Sequence, residues 1–131
     1  MSERLFHLVL PADWRAADPT APWAPPSLAS EGFLHLSFAR QLQGTLEVHF
    51  ATADEVWLLE VDPDAVAANL ALKPSRGGQL FPHLHRALGR EEVLGWWRLV
   101  RDDNGALSPP ELDAPHRDGG GRLEGPPHPS A

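Results

Sequence analysis

The sequence contains no cysteine and only one lysine, Lys73, among its 131 residues. Without cysteine the chain has no disulfide framework, no thiolate metal ligand and no thiol nucleophile. The formal net charge is −7, and no basic run offers a surface for a long nucleic acid or an acidic membrane. There is no apolar run of membrane-spanning length and no signal-peptide core near the start. We therefore expect a soluble cytoplasmic protein, with no partner protein evident.

The length predicts one domain, which we place at residues 1–107. Residues 108–131 differ in composition, with six prolines, four glycines and almost no apolar side chains. Such a segment cannot offset its ordering entropy by burial, so we predict a disordered tail.

The hydrophobic pattern predicts short strands and short helices. The predicted strands cover residues 5–10, 33–37, 55–61 and 93–101, with a shorter extended piece at 71–73. A helix is expected to begin at Pro11, a second has an apolar stripe at every fourth residue from Phe38 to Phe50, and a third follows the Asp62-Pro63 cap. Asn104-Gly105 predicts a tight turn, after which Ala106 and Leu107 would begin a return strand.

The stretch 31–37 (EGFLHLS) carries the most distinctive candidate residue. If it forms one strand, Phe33, His35 and Ser37 share a face and the two leucines share the other. Ser37 is a suitable N-cap for the next helix and a hydrogen-bond neighbour for His35. A histidine on an apolar strand needs a partner, a ligand or a chemical role, and a core histidine bonded to backbone is the alternative.

Two loops hold further candidates. Residues 18–27 form a loop with four prolines around Trp23, which suits the wall or lid of a pocket or, equally, packing on the core edge. Arg76 lies between a serine and two glycines, where backbone N–H groups can approach an anion, although a solvated turn has the same composition.

The histidines also raise a metal hypothesis. His83 and His85 are two residues apart and would share a face of an extended segment, so that with His35 and a carboxylate they could bind zinc, iron or copper. No recognised metal-binding signature supports this, and we do not commit to a metal. No serine nucleophile elbow and no phosphate-binding glycine loop is present either.

Several segments together resemble the bacterial domain-of-unknown-function family 952. They occur in the right order from Leu5 to Val93, and they are Leu5-Phe6-His7, Trp14, Ser27-Leu28, the stretch 31–37, Gln41, Leu58-Leu59-Glu60-Val61 and Phe81-Pro82-His83. That family is similar to a compact ADP-ribosyltransferase fold. The resemblance therefore implies an α+β protein, with two small antiparallel sheets and short helices around a cleft that binds NAD.

The resemblance also implies roles for individual residues. His7 would contact a ribose hydroxyl of NAD and His35 would flank the nicotinamide, a pairing also similar to the RNA 2′-phosphotransferase branch. The acidic balance argues against a long RNA substrate. Lys73 stands where family members commonly have a glutamate, and His85-Arg86 where they have Tyr-Gly, so a carboxylate that would stabilise a ribose cation is missing at that position.

We thus expect a nucleotide-binding cleft with ADP-ribosyl transfer or NAD cleavage as its chemistry. The candidate catalytic residues are His35, His7, Ser37 and His83. The candidate cofactor-binding residues are His7, His35, Trp23, Arg76 and Arg86. The alternatives are a non-catalytic binding or interaction domain and the histidine metal site.

Overall fold

The structure, a computed structural model, describes residues 3–18 and 20–112, without the side chains of Ser75 and Arg76. Its strands are β1 Leu5–Val9, β2 Leu34–His35, β3 Ser37–Phe38, β4 Glu55–Val61, β5 Leu70–Ser75, β6 Gln79–Leu84 and β7 Val93–Val100. Its α-helices are α1 Pro11–Ala16, α2 Pro26–Glu31, α3 Leu42–His49 and α4 Pro63–Val66. Short 3-10 turns cover Ala39–Gln41, Ala67–Asn69, Arg76–Gly78 and Arg90–Glu92.

The strands form two small antiparallel sheets. The larger sheet has four strands in the order β3-β1-β4-β7, and the smaller has three in the order β2-β6-β5. The predicted α+β class with two antiparallel sheets and short helices is therefore confirmed. Within the described residues no helix has the length and apolar character needed to cross a bilayer.

Strand β4 is at the centre of the larger sheet and is apolar on both faces. Trp57 and Leu59 point into one core cluster, which also contains Leu34 and Leu84 of the smaller sheet. The alternate residues of β4 point into a second cluster with α3. Burial on both sides explains why this strand is a nearly continuous apolar run and why its predicted bounds agree with the structure.

Local signals predicted several other features correctly. The Asp62 carboxylate accepts bonds from the backbone N–H groups of Asp64 and Ala65, as a cap should. The β4–β7 register shifts next to Gly95, as expected for a bulge. The turn after β7 is closed by a bond from the Gly105 N–H to the Asp102 carbonyl.

The prediction of one strand over residues 33–37 is wrong. Gly32 has φ +86° and ends α2, a helix that the proline-rich composition concealed. His35 then belongs to the smaller sheet and Ser37 to the larger, because the chain crosses between the sheets at Leu36. Ser37 is consequently a strand residue and not an N-cap. The N-cap residue of the 3-10 turn that follows is Phe38, and the side chain of Gln41, the third residue of that turn, accepts from the Phe38 N–H at 3.0 Å.

The end of the described chain also differs from expectation. Leu107 forms no return strand and packs instead into the second core cluster. Leu112 packs against the same cluster, so residues 108–112 follow the surface of the domain. The remainder of the predicted tail, residues 113–131, lies outside the described residues.

Candidate ligand-binding cavity

A cavity of about 370 Å³ opens beside the first strand of the larger sheet. This volume is within the range of small-molecule sites in proteins. The side chains that line it are His7, Leu8, Pro25, Pro26, Ser27, Glu31, His35, Leu36, Ser37, Thr45, His49, Phe50, Phe81 and His83. All four residues predicted from the sequence as catalytic candidates are therefore brought together, from four different strands.

The strand pairing explains where the cavity lies. Strand β3 pairs only with Leu5 and Phe6, so the edge of β1 at His7 and Leu8 is left uncovered by β3. In the smaller sheet, His35 and His83 are direct cross-strand partners. Their neighbours Leu34 and Leu84 face the core, so the two imidazoles project from the other face of the smaller sheet.

His7 is buried and fully hydrogen-bonded. Its Nδ1 lies 2.8 Å from the backbone carbonyl of His35, and its Nε2 accepts a bond of 2.9 Å from the indole N–H of Trp23. These partners assign the neutral tautomer with the proton on Nδ1. Burial lowers the pKa of His7 to about 4, which keeps the ring neutral near pH 7. A ligand hydroxyl could bond this ring only by displacing one of the two partners.

Trp23 packs in the core and does not line the cavity. Its side chain is 4% exposed, and its backbone pairs with that of Leu88 through bonds of 2.7 and 2.9 Å. Arg90 fastens the same loop by donating to the carbonyls of Ala21 and Asp18. Trp23 therefore corresponds to the predicted alternative of core packing and not to a wall or lid, because both its backbone and its indole N–H are hydrogen-bonded to the rest of the domain.

His83 presents the opposite situation to His7. It is 5% exposed, and neither ring nitrogen has a hydrogen-bond partner among the described residues. Phe33 stacks on it with ring centroids 3.9 Å apart and planes 7° from parallel. Burial, together with the nearby imidazoles of His35 and His85, lowers the pKa of His83. A buried ring with both nitrogens unpaired is costly, by about 1 to 3 kcal/mol for each group, and marks a place where a ligand would be useful.

Glu31 places a carboxylate in the cavity. Its Oε2 lies 3.3 Å from Nε2 of His35, and both side chains are about half exposed. Glu31 was not among the candidate site residues predicted from the sequence. The spacing of four residues from His35 was the available signal, but the end of α2 at Gly32 had to be known before that spacing meant proximity.

The remaining polar walls come from β3 and α3. The hydroxyl of Ser37 lies 3.4 Å from that of Thr45, which in turn donates to the Gln41 carbonyl at 3.0 Å. Thr45 and His49 are one helical turn apart and share the face of α3 that lines the cavity. His49 is exposed in the last turn of α3 and also belongs to the lining, although it was not among the candidate site residues predicted from the sequence.

The metal hypothesis is not supported by the described residues, which contain no group of three or more potential ligands placed to hold an ion. The Phe33 ring explains why the three imidazoles do not converge. Its centroid lies 4.8 Å from His35, 3.9 Å from His83 and 5.8 Å from His85, so that an apolar ring stands among the imidazoles.

Two cationic residues singled out in the sequence, Arg86 and Lys73, are not in the described lining of the cavity. Arg86 is not among the described lining residues, and its guanidinium binds both carboxylate oxygens of Glu92 at 2.8 and 2.9 Å and Asn69 at 2.9 Å. The hydrogen bonds to the Glu92 carboxylate raise the pKa of Arg86. Lys73 is exposed on β5. The Arg76 side chain lies outside the described part of the structure, so its predicted contact with phosphate stays a prediction.

Comparison with known proteins supports the family expected from the sequence. The family model "Protein of unknown function (DUF952)" matches residues 8–96. The chain is similar to the crystal structure of protein CC0527 from Caulobacter crescentus, with 31% identity, a TM-score of 0.70 and coverage of 80% of this chain and 93% of that one. The solution NMR structure of CC0527 is also similar, with 31% identity, a TM-score of 0.68 and coverage of 83% and 92%. No curated protein matches. The chain therefore belongs to the DUF952 family, as the segments of resemblance in its sequence indicated.

Proposed function

We propose that the cavity binds NAD or a related nucleotide, with the nicotinamide and its ribose inside. The observation that carries this proposal is the convergence of His7, His35, Ser37 and His83 on one cavity in which the buried imidazole of His83 has no partner. A ligand that bonds this imidazole would remove the cost of its unpaired nitrogens.

The size of the cavity limits how much of the ligand enters it. A volume of about 370 Å³ suits one ring and one sugar, so the adenosine half of NAD would lie outside. In this arrangement His35 flanks the ring, and Ser37 and His83 supply hydrogen bonds. His7 acts as a positioning residue, because it holds the backbone of His35 and has no unused ring nitrogen. Arg76 is the proposed contact for the phosphates.

If the bound NAD reacts, the bond between the ribose C1′ and the nicotinamide nitrogen breaks. Its electron pair leaves with nicotinamide, and an acceptor then gives an electron pair to C1′ and loses a proton. The positive charge that develops on the ribose needs a carboxylate, and Glu31 would supply it in place of the family position occupied by Lys73. The chain would otherwise contribute positioning.

A non-catalytic binding domain is the second candidate. It is favoured by the hydrogen bonds of His7, because both ring nitrogens bond other groups of the protein and neither is left for a ligand. A protein of this kind would bind the nucleotide without releasing nicotinamide.

Calorimetric titration with NAD and with ADP-ribose tests the proposal. We expect saturable binding of NAD that is weaker for ADP-ribose, which lacks the ring, and that is lost in His35→Ala. The matched control is His85→Ala, since His85 is exposed and is not in the described lining. Absence of binding to both ligands, or equal loss in both variants, would refute the proposal. Assay of nicotinamide release then separates the catalytic from the non-catalytic candidate.

A further inference from the structure

The cavity contains one formal charge among its described lining residues, and that charge is negative. Glu31 is the single carboxylate of the lining, and no lysine or arginine is present in it. The burial that lowers the pKa values of His7 and His83 disfavours their cationic forms. The protein as a whole also carries a formal charge of −7. An anionic group inside this cavity would meet the Glu31 carboxylate and no lysine or arginine among the described lining residues.

The carboxylate of Glu31 is available for a ligand. Its Oε2 is shared with His35 across 3.3 Å, whereas its Oε1 has no hydrogen-bond partner within residues 3–18 and 20–112. The Glu31 side chain is about half exposed, so water solvates the carboxylate and its charge needs no buried partner to be stable. A cation entering the cavity would therefore gain an attraction without breaking an existing strong ion pair.

The rest of the lining suits a flat ring. Phe81, Phe50 and the imidazoles are aromatic members of the lining, and aromatic faces attract cations as well as stack with rings. His83 is independent evidence that a ligand belongs here, since it is buried in this lining with both nitrogens unpartnered among the described residues. A neutral imidazole offers one donor and one acceptor to polar substituents on such a ring.

We infer that the cavity selects a small heteroaromatic ring that carries one positive charge, over neutral and anionic rings of the same size, with Glu31 as the counter-charge. The inference rests on the proposed function and deepens it, because it names the charge class of the group that enters. It further separates the two ends of a nucleotide ligand, since phosphates are excluded from the cavity itself.

The test uses three probes built on one ring: N1-methylnicotinamide, which is cationic, nicotinamide, which is neutral, and nicotinate, which is anionic. Protein-observed NMR titration gives their dissociation constants for the full chain. We expect the cation to bind about tenfold more tightly than the neutral ring, and nicotinate to bind most weakly. Glu31→Gln keeps the shape of the side chain and should abolish the preference. Glu91→Gln, an exposed glutamate outside the described lining, should keep it.

The outcomes separate this inference from the function on which it rests. Equal binding of the three rings, tighter binding of nicotinate, or a preference that survives in Glu31→Gln overturns the inference while leaving a ligand-binding cavity. If no ring binds but NAD does, the inference fails and the proposed function stands. If neither the rings nor NAD bind, both fail. Thermal unfolding of Glu31→Gln shows whether the variant is folded, and Glu31→Ala provides a second removal of the charge.

Discussion

Two regions of the cavity lining, each built around a buried histidine, differ in whether the ring nitrogens have hydrogen-bond partners. The His7 region, consisting of His7, Trp23 and the carbonyl of His35, has a buried imidazole with both nitrogens bonded. The His83 region, consisting of His83, Phe33 and His35, has a buried imidazole that stacks on Phe33 and meets His35 edge-on, with neither nitrogen bonded among the described residues. Burial lowers the pKa of both histidines. Burial therefore does not distinguish a structural histidine from a candidate ligand contact, whereas the presence or absence of partners does.

The largest effect on stability is expected from removing the imidazole of His7, whose two ring nitrogens are both hydrogen-bonded. His7→Ala leaves the Trp23 indole N–H and the His35 carbonyl without their partner and creates a void, so we expect the free energy of unfolding to fall by about 4 kcal/mol. Urea denaturation measures this change. The exposed His85→Ala should change it by less than about 0.5 kcal/mol. A loss below about 1 kcal/mol for His7→Ala would mean that the two bonds are not structural.

The second-largest effect is expected at acid pH, where protonation of His7 should lower the stability of the folded protein. The folded-state pKa of His7 is about 4, below its ordinary value of 6.5, so the unfolded chain binds this proton more readily. Stability from the neutral ring is complete above pH 6.5 and is lost as the pH falls towards 4. The total is about 3 kcal/mol. His83 shifts in the same direction and adds to the slope.

The matched measurement is the free energy of unfolding between pH 4 and 7 for wild-type and His7→Gln. Carboxylates titrate alike in both proteins, so the difference between the two slopes isolates His7. Parallel slopes would contradict the prediction. The comparison with His83 is completed by recording the same curve for His83→Phe.

Replacing His83, whose ring nitrogens are unpaired among the described residues, should change the free energy of unfolding in the opposite direction. His83→Phe removes two unpaired nitrogens and keeps a ring stacked on Phe33, so we expect a gain of about 1 to 2 kcal/mol in the free energy of unfolding. The same variant should weaken NAD binding in calorimetry. A variant that is both less stable and unchanged in binding would place His83 with His7 as a structural residue.

Glu31→Gln should have the smallest effect on stability. The carboxylate and His35 are about half exposed, and pairs of this kind contribute roughly 0 to 1 kcal/mol. We expect a change of less than about 0.5 kcal/mol in urea denaturation, similar to that of Glu91→Gln. A loss above about 1 kcal/mol would show that Glu31 holds α2 in place and is not available to a ligand.

The sequence predicted the elements whose signals are local. Strand β4 has the predicted bounds because its seven residues are apolar enough to be buried on both faces. The Asp62 cap was predictable because the carboxylate bonds N–H groups only two and three residues away. The spacing of apolar residues from Phe38 to Phe50 also predicted a helix correctly, because α3 and the 3-10 turn before it occupy this segment.

The features that were missed depend on distant partners. The alternation in residues 33–37 is the same whether they enter one sheet or two, and the pairings with β1 and β6 decide the split. The sequence around Trp23 is equally consistent with a lid and with a core residue, and only its hydrogen bond to His7, 16 residues earlier, distinguishes the two. His49 is a surface residue, but nothing near it in sequence reveals that its helix, α3, borders the cavity.

The sequence by itself determined the chemistry available to the protein: no thiol, few cations, an acidic balance, and histidines on short apolar strands. It also determined the family, through an ordered set of short segments. Only the tertiary structure decided which histidine is satisfied and which is not. The reason is that the bonds of His7 reach residues 16 and 28 positions away, and the isolation of His83 follows from what the fold places around it.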